Sequence, residues 1–278
     1  MDDTLRDSAT AVLGLLIFTG FLHHRAERAI VRDVSRTAVG GTFGARVDGR
    51  GLLGLAIGQA DTVFVTGRHF RSEGFPFTVR RGEGIRAYVR TLRIDFTDFT
   101  LRGIPVRRFE ARIPGTSIDA GRAFFDERIV MRTAGEGTAE AVVGPEALGA
   151  IFARKFPQYK NVRIRLRPGF VDVEADVSAL GAPLKLESTS MVGLREGRYV
   201  VLESSVMKLN GKDASPQFVE SVHKTVNPVL DTDKDLGLGA YFYARALEVS
   251  DGILTVRGAA RVPIAPMSPQ AKEQEKSP

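Results

Sequence analysis

The chain has 278 residues, 43% hydrophobic and 26% charged, which is a globular composition on a chain long enough to bury a substantial core. It contains no cysteine, which excludes a disulfide framework and a thiolate metal site. The net charge of +6 has a plain account in a solvated basic surface. As a sign of a partner it fits anionic lipid better than nucleic acid, because the arginines are scattered through strand-like segments and there is no tryptophan to stack on bases.

Residues 11–22 (AVLGLLIFTGFL) form an apolar run, shorter than the ~20 residues that span a bilayer and similar to a signal-type core. Its flanks are unusual. Asp2, Asp3 and Asp7 precede it against Arg6 alone, and Arg25, Arg28, Arg32 and Arg36 follow it. Segment 1–24 is therefore expected to associate with a membrane, as an anchor or a signal-like piece, with the side of the membrane left open. Residues 25–38 read as a helix, since Ala26, Ile30, Val34 and Ala38 recur every four residues before Gly40-Gly41. From Thr42 the period becomes two, with Phe43, Ala45 and Val47 alternating with Gly44, Arg46 and Asp48.

Gly74-Phe75-Pro76-Phe77 is an apolar loop with a rigid bend at the proline. The alternation of Leu92, Ile94 and Phe96 slips phase near Asp98, because Phe99 and Leu101 resume out of step, which predicts a bulge. Further strands are expected over 104–113, 116–123 and 126–133. Pro145 opens a helix whose Leu148, Ile151, Phe152 and Phe156 share a face before Pro157 stops it. A basic strand (Arg163, Arg165, Arg167) and an acidic one (Asp172, Glu174, Asp176) flank the turn Pro168-Gly169, so their charges should meet across an antiparallel ladder. Two more strands follow near 184–194 and 198–209. Ser215-Pro216 then begins a helix with Phe218, Val222 and Val226 as its apolar stripe, ended by Pro228. A last hairpin turns at Asp251-Gly252, and residues 265–278 read as a disordered polar tail.

Motifs for chemistry mostly fail on inspection. Gly49-Arg50-Gly51-Leu52-Leu53-Gly54 matches G-x-G-x-x-G, but strand-like residues follow where a dinucleotide site needs a helix. Asp231, Asp233 and Asp235 open like a calcium loop, yet Leu236 stands where glycine is required and Phe242 where the bidentate glutamate belongs; a solvated acidic loop is the expectation. The four histidines, His23, His24, His69 and His223, have no zinc-ligand spacing, and His223 is expected at the surface. No hydrolase, phosphate-loop or kinase signature occurs. The reading is of a protein that is not an enzyme and uses neither metal nor cofactor.

An ordered string of elements then decides the comparison. It runs from Gly74-Phe75-Pro76-Phe77 through the Phe156-Pro157 stop, Asn161-Val162-Arg163-Ile164-Arg165-Leu166, Val171-Asp172-Val173 and Leu180-Gly181-Ala182-Pro183-Leu184. It ends in Asn227-Pro228-Val229-Leu230-Asp231 and the hairpin Glu248-Val249-Ser250-Asp251-Gly252-Ile253-Leu254. Over roughly 25–264 the chain resembles the LmeA family of bacterial envelope phospholipid-binding proteins. The resemblance implies an α+β fold of the tubular lipid-binding type, a strongly curved antiparallel sheet wrapped around amphipathic helices, in one domain over 25–264. It also implies phospholipid or a membrane surface as partner, a place in the cell envelope, and a role in lipid or lipoglycan maintenance or transfer. On that basis Leu148, Ile151, Phe152, Phe156, Phe218, Val222 and Val226 are candidates for an apolar groove, although such faces are by base rate ordinary core. Arg80, Arg81, Lys155 and Lys160 are candidates for the head group. The competing expectation is a structural or interaction module of the envelope whose interior is fully packed.

Overall fold

From Thr42 onward the chain is mostly strand. The computed structural model describes residues 23–49, 54, 58–75, 77, 79, 80, 84–179 and 182–264. The apolar run 11–22, Arg81, most of the G-x-G-x-x-G match and the tail 265–278 lie outside the described residues.

Helix α1 is described over 23–35, and Ala38–Val39 beyond it form the short strand β1 rather than a further helical turn. Then follow β2 (Thr42–Gly49), β3 (Gln59–Arg68), β4 (Arg71–Ser72), β5 (Arg86–Leu101), β6 (Ile104–Asp119), α2 (Ala120–Phe125), β7 (Met131–Thr133) and β8 (Gly137–Val143). The second half comprises α3 (Pro145–Lys155), β9 (Lys160–Arg167), β10 (Phe170–Ala179), β11 (Ala182–Arg195), β12 (Tyr199–Leu209), β13 (Lys212–Asp213), α4 (Pro216–Val226), β14 (Leu230–Asp231), β15 (Phe242–Ser250) and β16 (Ile253–Ala260).

Two sheets result. The first runs β1-β4-β5-β6-β8-β16-β15, with β3 also on β5, β2 on β3 and β7 on β6; it curls into a half-barrel. The second runs β13-β12-β11-β10-β9, with β14 on β12. The expectation of purely antiparallel sheets needs correction, because β3 and β4 both run parallel to β5. They pair with successive stretches of the same β5 edge (Gln59 opposite Tyr88, Arg71 opposite Thr100). β5 begins beside the end where β3 began and sets out in the same direction, after the stretch that holds the Gly-Phe-Pro-Phe loop. Phe75 of that loop is held by aromatic neighbours, with ring centroids 4.7 Å from Phe109, 5.9 Å from Tyr241 and 6.2 Å from Phe96.

The hairpin of β5 and β6 is the spine of the first sheet, turning through Arg102 and Gly103 with φ of 48° and 79°, the left-handed pair that matches strand twist. The phase slip at Asp98 is real but leaves the register unshifted: Thr97 pairs with Arg108 and Phe99 with Val106. Asp98 adopts a φ of 49°, and the outward pair Thr97 and Asp98 on β5 faces the outward pair Arg107 and Arg108 on β6. Both strands change phase together, so Phe96, Phe99, Val106 and Phe109 all reach the core.

Residues 116–133 depart from the two expected strands. β6 continues to Asp119, whose carboxylate accepts the Arg122 N–H at 3.0 Å and so caps α2. In the second sheet the expected charge ladder forms, with Arg163 opposite Glu174 and Arg165 opposite Asp172. One core spans both sheets and includes Phe96, Ile104, Leu148, Ile151, Leu166, Val173, Phe242 and Leu254. A smaller one joins α3 and α4 to β11 and β12.

Candidate functional site

The apolar face of α1 lies against the curled sheet: Ala29, Ile30 and Val34 are buried. Polar contacts pin the helix. Glu27 accepts the Val47 N–H at 3.1 Å, Asp33 accepts the Ile129 N–H at 3.3 Å, and Arg32 pairs with Glu127. Between α1, β2, β3, β5, the end of β6 and α2 a pocket of about 210 Å³ remains open. Among the described residues, those that line it are Ala26, Ile30, Val47, Gly58, Ala60, Val63, Ala87, Tyr88, Val89, Ile118, Ala120, Ala123 and Ile129. Six of these are alanine or glycine, and the phenol of Tyr88 is the sole polar side chain among them. The space exists because small residues stand where a filled core would carry leucine or phenylalanine.

Asp119 fixes the corner of the pocket. It is 4% exposed, caps α2 and pairs with Arg132. The Arg122 N–H, followed by Arg132, holds its carboxyl below the usual range against the opposing cost of burial. A wider concavity of about 740 Å³ lies over the strands β3, β5, β6, β8, β15 and β16, but charged groups line it, and Arg108 pairs there with Asp95, Arg257 with Glu140. Such a surface suits water, so the smaller pocket is the better place for an apolar ligand.

The residues singled out in the sequence sit elsewhere. Leu148 and Ile151 belong to the main core, whereas Phe152, Phe156, Val222 and Val226 fill the smaller one, with Phe218 partly buried against it. The Phe152 ring lies 4.9 Å from Phe156 and 5.3 Å from Tyr159, so these faces are brought together and meet protein side chains. The Lys155 ammonium donates to the Pro228 carbonyl at 2.9 Å and pairs with Asp235 at 3.2 Å. Lys160 is exposed at the start of β9 opposite Asp176, and Arg80 is exposed beside Met131. None of Arg80, Lys155 and Lys160 lines the pocket.

The acidic loop is solvated only in part: Asp233 is exposed as expected, whereas Asp231 and Asp235 are drawn inward. Asp231 is 4% exposed and takes a two-pronged contact from Arg198 at 2.7 and 2.8 Å, as well as the N–H groups of Asp233 and Lys234. Arg198 first, then those N–H groups, hold its carboxyl down to about 2 against the cost of burial. The rest of Asn-Pro-Val-Leu-Asp works to the same end. The Asn227 amide exchanges two hydrogen bonds with the Leu202 backbone, at 2.8 and 2.9 Å, and Leu230 pairs with Val200. The motif stitches α4 and its exit onto β12. His223 is also less exposed than expected: its Nε2 lies 2.7 Å from Ser205 Oγ, which in turn meets Ser190. Among the described residues no group of three or more His, Cys, Asp or Glu could hold a metal ion.

Residues 71–259 match the family model described as LmeA-like phospholipid-binding. The chain belongs to this family. No curated protein and no solved structure shows a significant likeness to it. The LmeA-like stretch supplies one wall of the pocket through β5, β6 and α2, whereas α1, β2 and β3 precede it. The LmeA-like family is one of lipid-binding domains rather than of enzymes. Among the described residues no helix is long and apolar enough to cross a membrane.

Sequence reasoning missed the pocket because alanine and glycine carry little hydrophobic periodicity. The usable signal was the face of α1, where Ala26 and Ala29 stand beside Ile30.

Proposed function

We propose that this LmeA-like chain binds phospholipid by taking part of an acyl chain into the pocket beneath α1. The observation that carries the reading is an apolar, alanine-lined space held open between a helix and a curled sheet, in a member of a phospholipid-binding family. Each methylene transferred from water contributes about 0.8 kcal/mol. A cavity of about 150 Å³ suffices for a benzene-sized guest, so this pocket takes a segment of one chain and leaves the head group outside. The helix against a curled sheet supports a tubular lipid-binding type of fold. The net charge of +6 supports a preference for anionic lipid, and the N-terminal apolar run supports work at a membrane of the cell envelope.

The test is native mass spectrometry of the full-length chain purified from a lipid-containing host, with extraction of bound lipid. About one phospholipid per chain is expected. A bare protein mass, with no uptake from anionic vesicles, refutes the proposal and returns the chain to a packed interaction module without ligand.

A further inference from the structure

The end of the sheet where β5 begins and β6 gives way to α2 carries an unusual surface. Ile85 is 73% exposed, Tyr88 56% and Phe125 78%. The fold brings their backbones to this one end of the molecule: the Ile85 carbonyl accepts the Ala120 N–H at 2.7 Å, Arg86 stands opposite Asp119 in the β5–β6 register, and Phe125 ends α2. Tyr88, Ala120 and Ala123 line the pocket itself, so this apolar surface adjoins its wall.

Exposed arginines accompany it. Arg86 lies on β5, Arg122 on α2, Arg28 on α1, and Arg128 next to Arg122, whose carbonyl accepts the Arg128 N–H at 3.1 Å. Among the described residues, the carboxylates of this end are largely turned to structural tasks. Asp119 is bound by Arg132 and lies 3.9 Å from the Arg122 guanidinium, whose side chain stays half exposed; Glu127 pairs with Arg32, Asp33 receives the Ile129 N–H, and Glu27 receives the Val47 N–H. Among the described residues Asp126, at the end of α2, is an exposed acid of this surface. Exposed isoleucine, tyrosine and phenylalanine among arginines match a bilayer surface, where apolar side chains enter the acyl boundary and cations meet phosphates.

We infer that this end of the molecule docks onto anionic phospholipid membranes, with Ile85, Tyr88 and Phe125 entering the interface and Arg86, Arg122 and Arg128 facing the phosphates. The inference deepens the lipid-binding reading and rests on it: docking in this orientation brings the pocket wall to the bilayer, so that an acyl chain passes between the two without crossing bulk water.

The absence of cysteine makes the test clean. Full-length Ile85→Cys and, as a control on β13, Lys212→Cys are each labelled with an environment-sensitive nitrobenzoxadiazole probe. They are mixed with vesicles of phosphatidylcholine alone or with about one third phosphatidylglycerol. On the anionic vesicles the probe at 85 is expected to shift to the blue with on the order of a twofold rise in emission as it leaves water, while the probe at 212 stays unchanged. Neutral vesicles, or Arg86→Gln with Arg128→Gln, should reduce the response at 85. A silent probe at 85, or an equal response at 212, overturns the inference. So does a response without vesicles that grows with protein concentration, which assigns the surface to a second copy of the chain. Lipid carried in native mass spectra with a silent probe at 85 removes the docking face alone. A responding probe on a chain that never carries lipid removes the pocket reading instead.

Discussion

Replacing Ala26 by Leu separates the pocket reading from a purely structural one, because the two expected effects have opposite signs. Ala26 lies on α1 and lines the pocket. Leucine is nearly as good a helix former as alanine, so propensity changes little. The substitution adds three carbons to the open space. Filling it removes those carbons from water and stabilises the unliganded protein by about 1–2 kcal/mol, less than the ~2.4 kcal/mol of three fully buried carbons. For a protein of this size that raises Tm by roughly 2–4 °C. The same three carbons exclude about three methylenes of an acyl chain, which weakens phospholipid binding by ~2.4 kcal/mol, or on the order of fiftyfold. Calorimetric melting of lipid-free protein measures the first effect, and titration with a short-chain phospholipid measures the second. A stabilised variant with unchanged lipid affinity refutes the assignment of the pocket to lipid. A destabilised variant refutes the claim that the space is open, since overpacking a filled core has that result.

Three further outcomes are expected. Asp231→Asn should destabilise the fold at neutral pH by about 1–2 kcal/mol, after allowance for solvent screening at the half-buried Arg198. Because the Asp231 carboxyl is lowered in the folded protein from 3.8 to about 2, its contribution is complete above pH 4 and lost as the pH falls toward 2. The gap between variant and wild type in urea unfolding should therefore close over that window, and a constant gap contradicts the ion-pair account. Asn227→Ala leaves the Leu202 N–H and carbonyl without partners beside a buried side chain, so a loss of about 2–3 kcal/mol in chemical unfolding is expected, with no loss of lipid selectivity. Lys155→Met removes the contacts to Pro228 and Asp235; it should cost about 1 kcal/mol in stability and change vesicle lipid uptake by less than about twofold. A large drop in uptake with stability intact makes Lys155 a head-group ligand after all.

Much of the strand order was legible because a half-buried strand must alternate. The ladder of Arg163 and Arg165 against Glu174 and Asp172, the hairpin at Asp251-Gly252 and the phase slip at Asp98 all follow from a period of two interrupted where the chain turns or flips. The helices at Pro145 and Ser215-Pro216 announced themselves through proline at the first turn. The direction of β3 against β5 was not legible, since parallel and antiparallel neighbours carry the same local pattern and the choice depends on the route of the connection. Nor was α2, where a single carboxylate, Asp119, converts the end of a long strand into a helix start.

By itself, then, the sequence determined local things: where strands and helices begin, which faces are apolar, that no disulfide exists, and which family the chain resembles. Tertiary structure decided which apolar surface stays open. Leu148 is absorbed in the main core, Phe152, Phe156, Val222 and Val226 in the smaller one, and the Asn-Pro-Val-Leu-Asp motif is absorbed in holding α4 to β12. Ala26, Ala60, Ala87 and Ala123, which look unremarkable one at a time, converge from four separate elements to leave a space. A pocket is a shortage of side-chain volume summed over residues distant in the chain, and no local pattern records that sum.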